Sequence, residues 1–134
     1  MIVVDVNVVA YLMVEGPKRA QARELFVRYP QWLLPTLWRH EFLNILATGV
    51  KASHYSLGQA EALWAKTYAL LAGSEGQPDM MLALALAAEH KLSTYDAQYV
   101  ALAQEHDIVC VSEDAELKKR APKGLIKSLG EMLA

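Results

Sequence analysis

Met1-Ile2-Val3-Val4-Asp5-Val6-Asn7 decides how the rest of the chain is read. Ile2, Val3 and Val4 form a short apolar run rich in β-branched residues, the pattern of a strand buried on both faces. The run ends on a carboxylate, and Asn7, two residues later, is placed to cap a following helix. An acid at the carboxyl end of a buried strand is costly unless something there requires it. In open α/β sheets that edge is where ligands bind. Asp5 is therefore expected to form the floor of a metal-dependent site, and the rest of the chain must supply its partners.

With 134 residues, 54% apolar and 21% charged, the chain is expected to fold as a single domain, 1–134, with one substantial core. A net charge of −2 offers no global basic signature of nucleic-acid binding. Cys110 is the only cysteine, so an internal disulfide and a cysteine-based zinc site are excluded, and its apolar setting, Ile108 to Val111, assigns it to packing. The N-terminus has neither a charged leader nor a long apolar segment, and the longest apolar stretch, Met80 to Ala88, is too short to span a bilayer. A cytoplasmic location is expected.

Outward from the first strand, helical and extended patterns alternate. Val8 to Met13 starts a short helix, and Glu15-Gly16-Pro17 interrupts it before an amphipathic helix over Lys18 to Tyr29. In that helix Ala22, Leu25 and Phe26 face inward and Arg19, Arg23 and Arg28 outward. Trp32-Leu33-Leu34 reads as a second strand ended by Pro35. Helices over Thr36 to Val50 and Leu57 to Leu71, with no strand between them, predict a helical hairpin. Gly73 to Pro78 reads as a loop. Asp79 to His90 and Tyr95 to Glu105 are helical, Ile108 to Val111 is a parallel-type strand, and Asp114 to Arg120 is a short polar helix. Leu125-Ile126 adds an edge strand and Leu129 to Leu133 a last helical turn. The alternation predicts an α/β fold with a small parallel sheet.

Four acids can be gathered by such a sheet: Asp5, Glu41, Asp96 and Asp114. Asp5 and Asp114 each follow a buried strand, whereas Glu41 and Asp96 would arrive on helices. Each also has an ordinary explanation. Glu41 lies on the shoulder of its helix's apolar stripe, beside Asn44, and can simply reach water. Ser93-Thr94-Tyr95-Asp96 fits a capping box. Asp114, like Ser112, can start a helix, and Glu113 can be solvated or substitute for Asp114. Tyr95, Tyr99 and Leu102 read as packing. Converging carboxylates repel one another by about 3 kcal/mol per pair at about 5 Å and an effective dielectric of about 20. Mg²⁺ and Mn²⁺, hard cations that prefer oxygen ligands, offset such repulsion and suit phosphodiester hydrolysis.

Taken together, Asp5-Val6-Asn7, Glu41-Phe42-Leu43-Asn44-Ile45-Leu46, the run Ser-Thr-Tyr-Asp-Ala-Gln-Tyr-Val-Ala-Leu-Ala at 93–103 and Val111-Ser112-Glu113-Asp114 resemble the PIN-domain ribonucleases. Among these the chain looks most like the VapC-type toxins of toxin–antitoxin pairs. The resemblance runs the length of the chain, and the stretch from Tyr95 to Ala103 is its most specific part. It implies a three-layer α/β/α sandwich and an Mg²⁺- or Mn²⁺-dependent endoribonuclease. It also implies Asp5, Glu41 and Asp96 as metal ligands, Asp114 as a fourth acid, and Asn7, Asn44 and Ser112 as polar groups behind them. Ser112 stands where many relatives carry Thr, which keeps a hydroxyl. A homodimer and a small antitoxin with a segment in the active-site groove are further implications. For the RNA substrate, the candidate contacts are Arg39 beside Glu41, with His40, and the basic run Lys118-Lys119-Arg120.

Two other readings compete. A non-enzymatic RNA- or protein-binding module on the same fold would be expected to have lost at least one of the four acids. A phosphohydrolase using Asp5 as nucleophile needs a second acid two residues on, and that position is Asn7.

Overall fold

A computed structural model describes residues 1–134 and contains a five-stranded parallel sheet with helices on both faces. The strands are β1 (Ile2–Val4), β2 (Trp32–Pro35), β3 (Glu75–Gly76), β4 (Cys110–Val111) and β5 (Ile126–Lys127). The helices are α1 (Val6–Met13), α2 (Arg19–Arg28), α3 (Trp38–Lys51), α4 (Leu57–Leu71), α5 (Met80–His90), α6 (Thr94–Glu105), α7 (Ala115–Arg120) and α8 (Leu129–Leu133). This is the predicted three-layer α/β/α architecture.

Sheet order is β3-β2-β1-β4-β5, so β1 is central. The chain walks outward from β1 through β2 to β3 by way of α1 to α4. It then returns through α5 and α6 to β4, on the other side of β1. Right-handed crossovers place these two sets of helices on opposite faces. Accordingly, α6 packs on β1, β2 and β4 with α5 against it, while α1 packs on α2 and α3, and α8 on α2. The reversal of strand order falls between β1 and β4, and the crevice at a sheet's carboxyl edge opens at such a reversal.

Val3 pairs with Cys110 and Val4 with Val111, and the Asp5 N–H donates to the Val111 carbonyl at 3.1 Å. The next residues on the two strands, Asp5 and Ser112, therefore stand side by side. β1 and β4 are buried throughout, as their continuous apolar runs predict. Cys110 lies wholly inside the core.

The helical hairpin forms between α3 and α4. Trp38, Phe42 and Trp64 stack across it, with Trp38 and Trp64 centroids 5.9 Å apart. Gly49 makes room for the Tyr55 ring at the turn: a Cβ there would stand 2.1 Å from the phenolic oxygen. Ser56 and Gln59 close a capping box at the start of α4.

Three local expectations are corrected. The cap of α1 is Asp5, not Asn7: Asp5 Oδ1 accepts the Val8 N–H at 3.0 Å, and Asn7 is an exposed residue of the first turn. The segment read as a loop contains β3, which pairs Glu75 and Gly76 with Leu34 and Pro35. Two residues without an apolar side chain carry no strand signal. Arg19, expected to face outward, turns its Nε into a buried position without a hydrogen-bond partner.

Candidate active site

The carboxyl edge of β1 and β4 gathers the acids. Asp5 extends directly from β1 and is only 8% exposed. Its two oxygens are both engaged. Oδ1 caps α1, and Oδ2 accepts a short hydrogen bond from the Ser112 hydroxyl across the strand pair. Ser112, also buried, accepts the Asp114 N–H at 3.1 Å, so one hydroxyl ties the end of β4 to the loop that carries the last acid.

Glu41 comes from the first turn of α3 and Asp96 from the first turn of α6, each partly buried. Ser93 caps α6 by accepting the Asp96 N–H at 3.0 Å. The return half of a capping box is not made, and burial, which raises the Asp96 carboxyl, is opposed by the Ser93 hydroxyl, which lowers it. Asp114 caps α7, its Oδ1 accepting the N–H groups of Glu116 and Leu117 at 3.0 and 3.1 Å. The ordinary explanation for Asp114 thus holds, and its second oxygen is not used by the cap.

The acids feel one another. Burial pushes the Asp5 carboxyl up to about 6 against the pull of Ser112 and Val8, and the charge of Asp96 adds to the rise. Burial also raises Glu41, with Asp96 and Asp5 contributing in the same direction while the Tyr99 hydroxyl lowers it. Asp96 is raised by burial and by Asp114. Six salt bridges form in the molecule, and none includes Asp5, Glu41, Asp96 or Asp114. The edge therefore carries converging negative charge with no basic side chain to offset it.

Residues 2–123 match the family model of the PIN domain. The chain belongs to the PIN-domain family. PIN domains are generally nucleases, and the four acids lie at the crevice where the sheet reverses order. The PIN fold is shared with several solved structures. The crystal structure of PAE2754 from Pyrobaculum aerophilum is 21% identical, with a TM-score of 0.77 over 98% of this chain and 85% of that one. A toxin–antitoxin complex from Klebsiella pneumoniae is 18% identical, with a TM-score of 0.62 over 96% and 98% of the two chains. FitAcB from Neisseria gonorrhoeae is 16% identical, with a TM-score of 0.63 over 87% and 90%. A search of curated proteins found no match.

The donor chemistry of this PIN edge suits a divalent cation: carboxylates and a hydroxyl, all oxygen, with uncompensated charge. The side chains do not form a finished cage, since no three His, Cys, Asp or Glu groups are arranged to hold a metal ion. Hydrogen bonds from Val8, Ser112 and Tyr99 hold Asp5 and one oxygen of Glu41 at this edge.

Sequence reasoning missed how the neighbours are used. Tyr99, read as packing, donates its O–H to Glu41 Oε1 at 2.7 Å, and burial with the Glu41 charge pushes the phenol far up. The available signal was its spacing, three residues after Asp96 on one helix face. Glu113 is neither solvated nor a spare ligand: it pairs with Lys18 at 3.3 Å and accepts the Leu129 N–H at 3.1 Å, joining α2 to α8. Arg39 is turned to Glu75, its Nε 2.6 Å from Oε2, and stacks on Tyr68, so it clamps α3 and α4 to β3. Lys118 pairs with Glu131, and Arg120 pairs with Glu116 and donates to the Lys91 carbonyl. Among Arg39, Lys118, Lys119 and Arg120, Lys119 alone forms no ion pair. Asn7, His40 and Asn44 are exposed near the acids. No helix is long and apolar enough to cross a membrane.

Proposed function

We propose that this PIN domain is an Mg²⁺- or Mn²⁺-dependent endoribonuclease that acts as the VapC-type toxin of a toxin–antitoxin pair. The observation that carries the reading is the convergence of Asp5, Glu41, Asp96 and Asp114 without a counter-cation at the β1–β4 crevice. A divalent ion bound there supplies Lewis-acid activation of water and charge neutralisation of the scissile phosphate. In this reading Asp5, Glu41 and Asp96 are its direct ligands, with Asp114 as the fourth acid. Ser112 holds the Asp5 carboxylate against rotation and links it to Asp114. Asn7 and Asn44 offer amides to the RNA or to water at the rim. Lys119 can meet a phosphate without first giving up an ion pair, whereas Arg39, Lys118 and Arg120 would exchange one acid for another.

Partners follow from two surfaces. A groove of about 470 Å³ between α1, α2 and α4 has an apolar floor including Met13 and Phe26, and it is edged by Arg19, Arg23 and Lys66, none of them in a salt bridge. An acidic, amphipathic antitoxin segment fits such a groove, which contains none of the four acids, so the segment expected in the active-site groove would be a second part of the same antitoxin. On α5, Met81, Leu84 and Ala88 form an exposed apolar stripe at helical spacing, suited to a second copy of the chain in a homodimer. The structural neighbour from Klebsiella pneumoniae is a toxin–antitoxin complex, which supports an antitoxin partner.

The test is incubation of the purified protein with total RNA, with and without Mg²⁺ or Mn²⁺, followed by mapping of fragment ends. Discrete ends that need metal and vanish in Asp96→Asn support the reading. RNA retained on the protein without turnover in Mn²⁺ would favour a binding module instead.

A further inference from the structure

Glu41 is held from behind by a residue of the core. Tyr99 lies one helical turn after Asp96 on α6 and is 2% exposed. Its O–H reaches Glu41 Oε1 at 2.7 Å, across 58 positions of sequence. A single turn of α6 therefore presents one acid of the edge and also a donor to another acid, which comes from α3. Glutamate has a longer and more mobile side chain than the aspartates that share the site. Left free, the Glu41 carboxylate would have to be ordered each time it met a cation. The phenol occupies one lone pair of Oε1, and Oε2 takes part in no hydrogen bond or salt bridge.

We propose that Tyr99 is a positioning residue, whose hydroxyl restrains the Glu41 carboxylate at the edge and so readies it to bind a divalent cation together with Asp5 and Asp96. This rests on the reading of the β1–β4 edge as a metal site. The role differs from packing, because the ring alone would fill the core equally well. Partners of this kind, which orient a ligand without touching the metal, contribute about tenfold to a hundredfold in affinity or activity.

Tyr99→Phe keeps the ring and removes the hydroxyl. The test is calorimetric titration of Mn²⁺ into metal-free wild type, Tyr99→Phe and Tyr95→Phe, with melting midpoints recorded in EDTA and RNA cleavage measured on the same samples. Tyr95 is an exposed tyrosine of the same helix turn and serves as the control. Tyr99→Phe is expected to weaken Mn²⁺ binding about tenfold and to lower kcat more than it changes KM, while Tyr95→Phe binds Mn²⁺ like wild type. Equal Mn²⁺ affinity in wild type and Tyr99→Phe overturns the proposal, whatever happens to the melting midpoint. So does an equal loss in Tyr95→Phe, which would show that the hydrogen bond is not the cause. Wild type that binds Mn²⁺ but cleaves no RNA defeats the nuclease reading and leaves the Tyr99 proposal to be decided by the affinities. Wild type that binds no Mn²⁺ overturns both.

Discussion

Asp5 shows how function and stability oppose each other at a single residue. Its carboxyl stands at about 6 in the folded protein against 3.8 for the ordinary group. The folded state thus holds the proton more tightly than the unfolded state between those values, and stability falls as pH rises through that window. Metal-free protein should therefore unfold more easily at pH 8 than at pH 5, by an Asp5 contribution of about 1.4 kcal/mol. Asp5→Asn keeps an oxygen for the Val8 N–H and removes the buried charge. It is expected to be more stable than wild type at pH 8 and to flatten the pH dependence across the window, as chemical denaturation in EDTA would show. Ser112→Ala acts in the opposite direction. It removes the hydroxyl that donates to Asp5 Oδ2 and accepts the Asp114 N–H. A hydrogen bond to a buried charge makes that loss about 2 kcal/mol at pH 8, and the loss should shrink at pH 5, where Asp5 is protonated.

At the scale of elements, the acids sit where strands end and helices begin, which is why each has two uses. Asp5 and Asp114 cap α1 and α7. The two uses of Asp114 can be separated, because Asn caps a helix about as well as Asp. Asp114→Asn should keep the melting midpoint and lower RNA cleavage, whereas Asp114→Ala should also lose about 1 kcal/mol of stability. An Asp114→Asn variant with unimpaired cleavage would reduce that residue to a cap. The same duality governs what could be read from the sequence. The strand pattern of Ile2 to Val4, the helical stripe of Leu57 to Leu71 and the Ser93 cap are local signals, and each appears in the structure within a residue or two. The β3 edge and the Arg39–Glu75 clamp depend on residues 36 positions apart that carry no periodic pattern. The Tyr99–Glu41 bond is of the same kind, although the helix that bears Tyr99 was legible. Asn7 competes with Asp5 for the cap in the sequence because a carboxylate at a strand end can serve both as cap and as site residue.

For the whole molecule, the sheet order brings chain-distant acids to one crevice, and an ion that binds only the folded protein must stabilise it. Mn²⁺ at about a hundred times its dissociation constant should add about 2.7 kcal/mol to the unfolding free energy of wild type, and EDTA should abolish the gain. The Arg39–Glu75 pair, by contrast, holds α3 to the sheet's edge on the β3 side. Glu75→Gln should lower the melting midpoint and leave the Mn²⁺ response in place, a distinction that a thermal melt with and without metal reads directly. The most direct test of the central claim is single-turnover cleavage of a labelled RNA in Mn²⁺ by wild type and Asp5→Asn side by side, with folding of the variant verified in the same buffer. Wild type is expected to cleave, and Asp5→Asn, though at least as stable, to be slower by about a hundredfold or more. Equal cleavage by the two proteins would contradict the assignment of this edge as a metal-dependent nuclease site.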